Sequence, residues 1–428
     1  TNIDIRRSTF DRSHSLKTSF NVGDIVPFFL DEVLPGDTFN VDTSAIIRMT
    51  TPKYPVMDDA FIDFYYFYCP NRILWDNFKY FMGEVESTPW MPATTYKVPE
   101  IVIKSDGNVG LPYEGSILDY MGVPTKVKGT FRVNALPIRA YVKIWNEFFR
   151  DENVGNAAVF KTDDKDINYL DSGDNNNPDL MLQKAINHND PDSILQNAIG
   201  GGRCLPVNKF HDYFTSCLPY PQRGPEVTLP MEGNAPIRVG SPSGEYQNFA
   251  GRVEMVVGAH GDYTPGSLIY GETTGAPGEK KSMLFTGKET VSGELGTGGW
   301  MYADLENITA ATINDLRKAV AVQQYYEALA RGGSRYREQV QALWDVVISD
   351  KTVQVPEYLG GGRYHVNMNQ IVQTSGQQTS QDTPIGETGA MSVTPINESS
   401  FTKSFEEHGF VIGVCCVRHN HSYQQGLE

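Results

Sequence analysis

"DDAFIDFYYFYCP", residues 58–70, contains an unbroken run from Phe61 to Cys69 in which Phe, Tyr and Ile dominate and Asp63 is the only charge. Such a run has no period-two alternation, so it suits a strand covered on both faces better than one with a wet side. Pro70 stops it, because proline has no N–H to give a ladder. Working outward, "FNVGDIVPFFLDEVLPGDTFNVDTSAIIRM" (20–49) offers two further strand-like runs separated by Pro35-Gly36, a favoured turn pair. The chain closes with "HGFVIGVCCVRHNHSYQQGLE" (408–428), whose apolar run also reads as a strand.

Two segments change period. In "LPIRAYVKIWNEFFRDEN" (136–153), Ile138, Tyr141, Val142, Trp145, Phe148 and Phe149 recur at three- and four-residue steps, and Pro137 sits where a first helical turn tolerates it. This predicts an amphipathic helix docked on the sheet. "TINDLRKAVAVQQYYEALA" (312–330) places Thr312 and Asp315 at capping-box spacing and Ile313, Leu316 and Val320 on one face. Gly332-Gly333 break that helix before "SRYREQVQALW" resumes it.

Composition agrees with a β-rich chain carrying elaborate connections. Of 428 residues, 21 are Phe and 22 Tyr, types that favour pleated, half-buried surfaces, while 40 Gly and 25 Pro supply turns. Between Pro225 and Gly299 roughly a fifth of the residues are glycine, against the usual ~7%. Short strand-like pieces survive there ("RVEMVVGA", "SLIYG", "SMLFTG"), so the stretch reads as an inserted, partly β excursion whose ends return to the main body. The Asp/Asn-rich tract 162–180 lacks the order of a calcium-binding EF-hand loop and reads as a solvated loop, with adventitious calcium as its alternative. The Gln/Ser/Thr-rich stretch near 373–384 is a polar loop.

The formal net charge of −16 argues against strong DNA binding by charge alone, though not against a local basic face. No stretch reaches the 18 or so apolar residues that span a bilayer, and "TNIDIRRSTF" lacks the apolar core of a signal peptide. Five cysteines, odd in number and irregularly placed, fit free thiols in a reducing compartment.

No P-loop, nucleophile-elbow or zinc-protease pattern occurs. The "GGGR" runs at 200–203 and 360–363 are read as tight turns, with phosphate approach as the alternative. Cys415, Cys416, His419 and His421 offer borderline zinc ligands, but adjacent strand cysteines point to opposite faces, which leaves three ligands at best. Core thiols with exposed histidines are the simpler reading. Cys217 near His211 lacks a placed base and orienter, so it is expected to be a small buried hydrophobe rather than a nucleophile. No enzyme, catalytic residue, metal or cofactor emerges.

Six long segments resemble the major capsid proteins of the gokushovirus branch of the microviruses, small single-stranded DNA bacteriophages. They are "FDRSHSLKTSFNVGDIVPFFLDEVLPGDTF", "MDDAFIDFYYFYCPNRILWDNF", "ALPIRAYVKIWNEFFRDEN", "HDYFTSCLPYPQRGP", "TINDLRKAVAVQQYYEALARGGSRYREQ" and "EYLGGGRYHVNMNQIVQTS", in the family's order. The resemblance implies a mainly β fold, an eight-stranded antiparallel jelly roll with long helical and loop insertions. It divides the chain into 1–224, the first part of the body; 225–299, a Gly-rich surface protrusion matching the family's variable insertion; and 300–428, a helical insertion with the last part of the body. Family members usually continue past the position matching Glu428.

The resemblance further implies self-assembly into a T=1 icosahedral shell around a circular single-stranded DNA genome, with virions assembled in the host bacterial cytoplasm. The implied partners are a small basic DNA-binding protein, an internal scaffolding protein, a minor pilot protein and a host surface receptor, without membrane insertion. The basic DNA-binding protein answers the −16 charge. Arg6, Arg7, Arg12 and Lys17 are candidates for an inward patch facing nucleic acid, against a merely solvated arm. Tyr246, Phe249, Tyr263 and Tyr270 are candidates for host attachment on the protrusion. Two other readings stand beside this one: a lectin-like carbohydrate-binding β protein, and a hydrolase dependent on His211 or Cys217.

Overall fold

A computed structural model describes residues 8–50, 58–84, 95–105, 112–152, 155–169, 191–214, 216–218, 221–229, 237–240, 300–303, 312–333, 335–367, 370–372, 374, 388–391 and 393–421. Among them the chain is mainly β. The strands are β1 (Val26–Val33), β2 (Thr38–Arg48), β3 (Ala60–Pro70), β4 (Glu100–Ser105), β5 (Gly129–Asn134), β6 (Ile167–Asn168), β7 (Ile237–Gly240), β8 (Trp300–Ala303), β9 (Glu357–His365), β10 (Gln370–Val372), β11 (Thr388–Met391), β12 (Val393–Ser404) and β13 (Gly409–His419). All pair antiparallel except β4 with β6. No described helix is long and apolar enough to cross a membrane.

The chain forms two compact units. The first comprises 1–221 and 330–428, the second 222–329. At the centre of the first is a four-stranded sheet ordered β1-β13-β3-β9. The Phe61–Cys69 run is an inner strand, paired to β13 from Ala60↔His419 to Pro70↔Gly409 and to β9 on its other edge. Ile62, Phe64, Tyr66, Phe67 and Cys69 are all buried, as the absence of alternation requires. Each large apolar side chain covered in this way contributes about 1.5–3 kcal/mol.

Turn chemistry sets the entry to the sheet. Gly36 takes φ +86, which the third position of a Pro-Gly turn demands, and the Asp37 N–H donates to the Leu34 carbonyl at 3.0 Å. β2 then leaves the main sheet and pairs with β12 along a ribbon from Thr38↔Ser404 to Arg48↔Val393. Its inner side contributes Phe39 and Val41 to a cluster with Val33, Tyr66, Tyr68, Phe401, Phe405 and Val411.

The helix Leu136–Ile144 continues into one wider, π-type turn, Trp145–Phe149. The helix expected to dock on the sheet does so, but Leu136, Ile138, Arg139, Ala140, Tyr141, Val142 and Ile144 are all buried, so it is covered nearly all round rather than on one face. Tyr141 fixes one side: its hydroxyl donates to the Ile25 carbonyl at 2.7 Å and accepts from the Leu205 N–H at 3.0 Å. Arg139 fixes the other, donating to the carbonyls of Leu74 (3.2 Å) and Asp163 (2.8 Å). The front of the Asp-rich tract is thus structural rather than simply solvated. Asp164 accepts from buried Trp75 and from Asn77, and Asp166 pairs with Arg132 at 2.7 Å. Residues 170–180 of that tract lie outside the described residues.

The two glycine runs differ. Gly201 does close a tight turn, at φ +85. Gly360–Gly362 instead lie inside β9, which corrects the turn reading. A Cβ on Gly361 would stand 2.0 Å from the Phe64 carbonyl oxygen, so glycine lets β9 approach β3 closely.

In the second unit, β7 pairs with β8 from Ile237↔Ala303 to Gly240↔Trp300, which brings the two ends of 241–299 together. The helix Ile313–Gly332 starts with the expected capping box: the Asp315 N–H donates to Thr312 Oγ1 and the Thr312 N–H to Asp315 Oδ2, both at 3.2 Å. It ends at Gly332-Gly333, with Gly333 at φ +93. Ile313, Leu316 and Val320 are exposed in this chain alone. Most of the polar tract 373–384 and the strand-like pieces inside 241–299 lie outside the described residues.

Candidate functional site

Asp63 anchors the most elaborate polar arrangement among the described residues. As the lone charge in the Phe61–Cys69 run it is 1% exposed, and it lies between two arginines from the flanking strands. Arg363 Nε of β9 donates to its Oδ1 at 2.6 Å, while Arg418 of β13 donates to Oδ2 through Nε (3.0 Å) and Nη2. The Tyr65 hydroxyl donates to the same oxygen at 3.1 Å and accepts from Arg418 Nη2 at 2.8 Å. Burial opposes ionisation of Asp63, but the hydrogen bonds and charges of Arg363 and Arg418 outweigh it and hold its carboxyl below the usual carboxylate range. Burial pushes the Tyr65 phenol up to about 12, so it stays a neutral donor.

Both guanidiniums also stack on Phe210, each 4.4 Å from the ring centroid. Phe61 meets the same ring edge-on at 6.0 Å, and Arg418 Nη1 lies 3.4 Å from the Asn208 carbonyl. The cluster therefore clamps segment 208–210 onto the end of the sheet. It contains no nucleophile next to a base; its chemistry is that of an ionic clamp. Sequence reasoning noted Asp63 and missed its role. The signal was present, since a charge inside an apolar run must have a buried partner.

Just beyond the clamp the chain turns outward. Asp212 accepts from the Phe214 N–H at 2.8 Å, and its own N–H donates to Ser216 Oγ at 3.0 Å. This turn corrects the expectation for Cys217: the residue is exposed, because the braced turn carries it away from the core, and its thiol donates to the Tyr213 carbonyl at 3.1 Å. His211 is exposed as well.

Cys415 and Cys416 are buried on opposite faces of β13, and burial pushes the Cys416 thiol up to about 12. His419 lies near Asp58 (3.5 Å), with its ring 4.5 Å from that of His421. Among the described residues no three His, Cys, Asp or Glu side chains gather as metal ligands. A cleft beside Tyr68 and Phe405 holds Arg72, Lys351 and Lys403, paired respectively with Glu407, Glu406 and Glu357, so its charges are already mutually satisfied.

Of the residues proposed to face nucleic acid, Arg12 is 68% exposed and pairs with Asp31 of β1 at 2.7 Å. Lys17 is exposed. Arg6 and Arg7 lie outside the described residues, as do Tyr246, Phe249, Tyr263 and Tyr270.

Comparison with known proteins bears directly on this scaffold. The family model described as "Capsid protein (F protein)" matches residues 1–428. The chain is 37% identical to capsid protein VP1 of Bdellovibrio phage phiMH2K over 434 residues, covering 99% of this chain and 71% of that one. It is 36% identical to capsid protein VP1 of Chlamydia phage 1 over 467 residues, with 99% and 73% covered. Capsid protein VP1 of Spiroplasma virus 4 is 33% identical over 434 residues, with 99% and 71% covered. An antiparallel β body closed by an ionic clamp and matched along its whole length to capsid proteins has a structural role in a virion: the chain belongs to the capsid protein (F protein) family of microvirus type.

Proposed function

We infer that this chain is the repeating subunit of a T=1 icosahedral shell enclosing a circular single-stranded DNA genome, assembled in the cytoplasm of a bacterial host. The observation that carries the reading is the match of 99% of the chain to three viral capsid proteins, two of them from phages. Closed symmetry then lets one interface set, repeated, build the container. In this reading the body is an eight-stranded jelly roll with helical and loop insertions. Its support is the four-stranded sheet β1-β13-β3-β9 together with the antiparallel pairs β2–β12 and β10–β11.

The body comprises 1–224 and 300–428, and 225–299 is a surface protrusion for host attachment carrying Tyr246, Phe249, Tyr263 and Tyr270. The β7–β8 pairing at the ends of 241–299 supports an excursion that leaves and returns at one place. A chain at −16 needs a basic partner to hold a genome, so the reading includes a small basic DNA-binding protein, with scaffolding and pilot proteins during assembly. Arg6, Arg7, Arg12 and Lys17 would add an inward basic patch.

Sedimentation velocity on material from the native source tests this reading. A uniform, very large particle with nuclease-protected single-stranded DNA is expected; a DNA-free monomer or small oligomer would overturn it. Deleting 226–298 should abolish attachment while shells still form.

A further inference from the structure

The helix Tyr336–Trp344 and the loop after it have a construction that the reading above does not use. The start of the helix is moored to the body. Arg335 Nε lies 2.5 Å from Glu152, its Nη2 donates to the Asn146 carbonyl at 3.2 Å, and its N–H donates to Glu338 at 3.1 Å. Arg337 stacks over Phe148 at 5.1 Å and donates to Asp350 at 2.9 Å, which ties the far end of the loop back to the helix. The near end is set by Asp345, at φ +54, whose N–H donates to the Gln341 carbonyl at 2.9 Å.

A loop pinned at both ends in this way holds three large apolar side chains outward: Trp344 is 67% exposed, Val346 51% and Val347 79%. Exposed Trp and Val on a braced loop cost solvation without serving the core of this chain. Pre-organised tryptophans are where interfaces concentrate their binding energy.

We propose that the Trp344–Val347 loop is a contact between neighbouring copies of this chain, an inference that rests on the shell reading. The charges select the occupant. Across 335–350 two arginines, both ion-paired, stand against three carboxylates, so the loop offers nothing to a phosphate backbone or an anionic membrane surface. Copies that each carry −16 repel one another, and they associate best where the contact is apolar and desolvates no unpaired charge.

Hydroxyl-radical footprinting of intact particles, genome-free particles and dissociated subunits, read by mass spectrometry, tests the proposal. Trp344 and Val347 should be modified about tenfold more slowly in both kinds of particle than in subunits. A Trp344→Glu variant should keep the subunit's melting curve and raise the concentration at which particles form by about tenfold or more. Particles in which Trp344 reacts as fast as in subunits overturn the contact and leave the shell reading intact. Protection confined to genome-filled particles overturns it in favour of nucleic acid. A chain that forms no particle from native material overturns the shell reading and this contact with it.

Discussion

Replacing Asp63 by Asn removes the single charge that holds two strands and the 208–210 segment together. The cost follows from the surroundings of the two arginines left behind. Arg418 is only 10% exposed, so it becomes a largely buried cation without its carboxylate; losing one partner of such a pair costs about 3–5 kcal/mol. Arg363 is 49% exposed and can rehydrate, so its share is that of a surface pair, about 0–1 kcal/mol. The Asn amide still accepts one hydrogen bond, which offsets about 1 kcal/mol.

The expected net loss is about 2–5 kcal/mol, or roughly 3–8 °C in melting temperature for a unit of roughly 300 residues. Thermal unfolding of unassembled subunits at pH 7, followed by circular dichroism, reads this directly. A companion variant carrying Asp63→Asn and Arg418→Met removes the orphaned cation and should recover most of the loss. A shift below about 1 °C for Asp63→Asn alone would refute the clamp, as would a double variant no better than the single one.

The pH dependence of the clamp has a definite sign. The folded protein holds the Asp63 carboxyl below its value in the unfolded chain. Its contribution is therefore complete above about pH 4 and lost as pH falls through the folded-state value, so the acid limb of the stability curve should flatten in Asp63→Asn.

Three more expectations follow from local geometry. Arg335→Ala leaves Glu152 largely buried without its cation, so amide exchange across 336–344 should accelerate at least about tenfold while β3 and β13 keep their protection; unchanged exchange there would contradict the mooring. Gly361→Ala drives a methyl group into the Phe64 carbonyl at a backbone φ of +153, at a cost of about 3–5 kcal/mol visible in soluble yield and melting temperature; a variant melting like the parent would remove the close-approach argument. A maleimide applied to native subunits should label Cys217 and spare Cys69, Cys204, Cys415 and Cys416 until denaturant is added. Labelling of any of those four in native protein would show the core to be open.

Local signals were legible because they act between near neighbours. The unalternating Phe61–Cys69 run fixes a strand covered on both faces, Pro35-Gly36 fixes a turn, Thr312 and Asp315 cap a helix, and Gly332-Gly333 end it. In each case the deciding physics lies within a few residues of the chain. The capsid resemblance was legible for the same reason, since it rests on contiguous motifs.

What the tertiary structure alone decided is which distant groups meet. Asp63 needed a cation, but only the pairing of β3 with β9 and β13 selects Arg363 and Arg418, 300 and 355 positions away. The helical period of 136–149 marks apolar positions, yet only packing by Leu74 and Asp163 buries Arg139 as well. Cys217 is the same type of residue as Cys204; a turn braced by Asp212 exposes one, and the core beside Tyr141 covers the other. Burial is a property of where a segment is carried, and hydrophobicity is non-directional, so composition fixes how much is buried while strand pairing and turns fix what is buried against what.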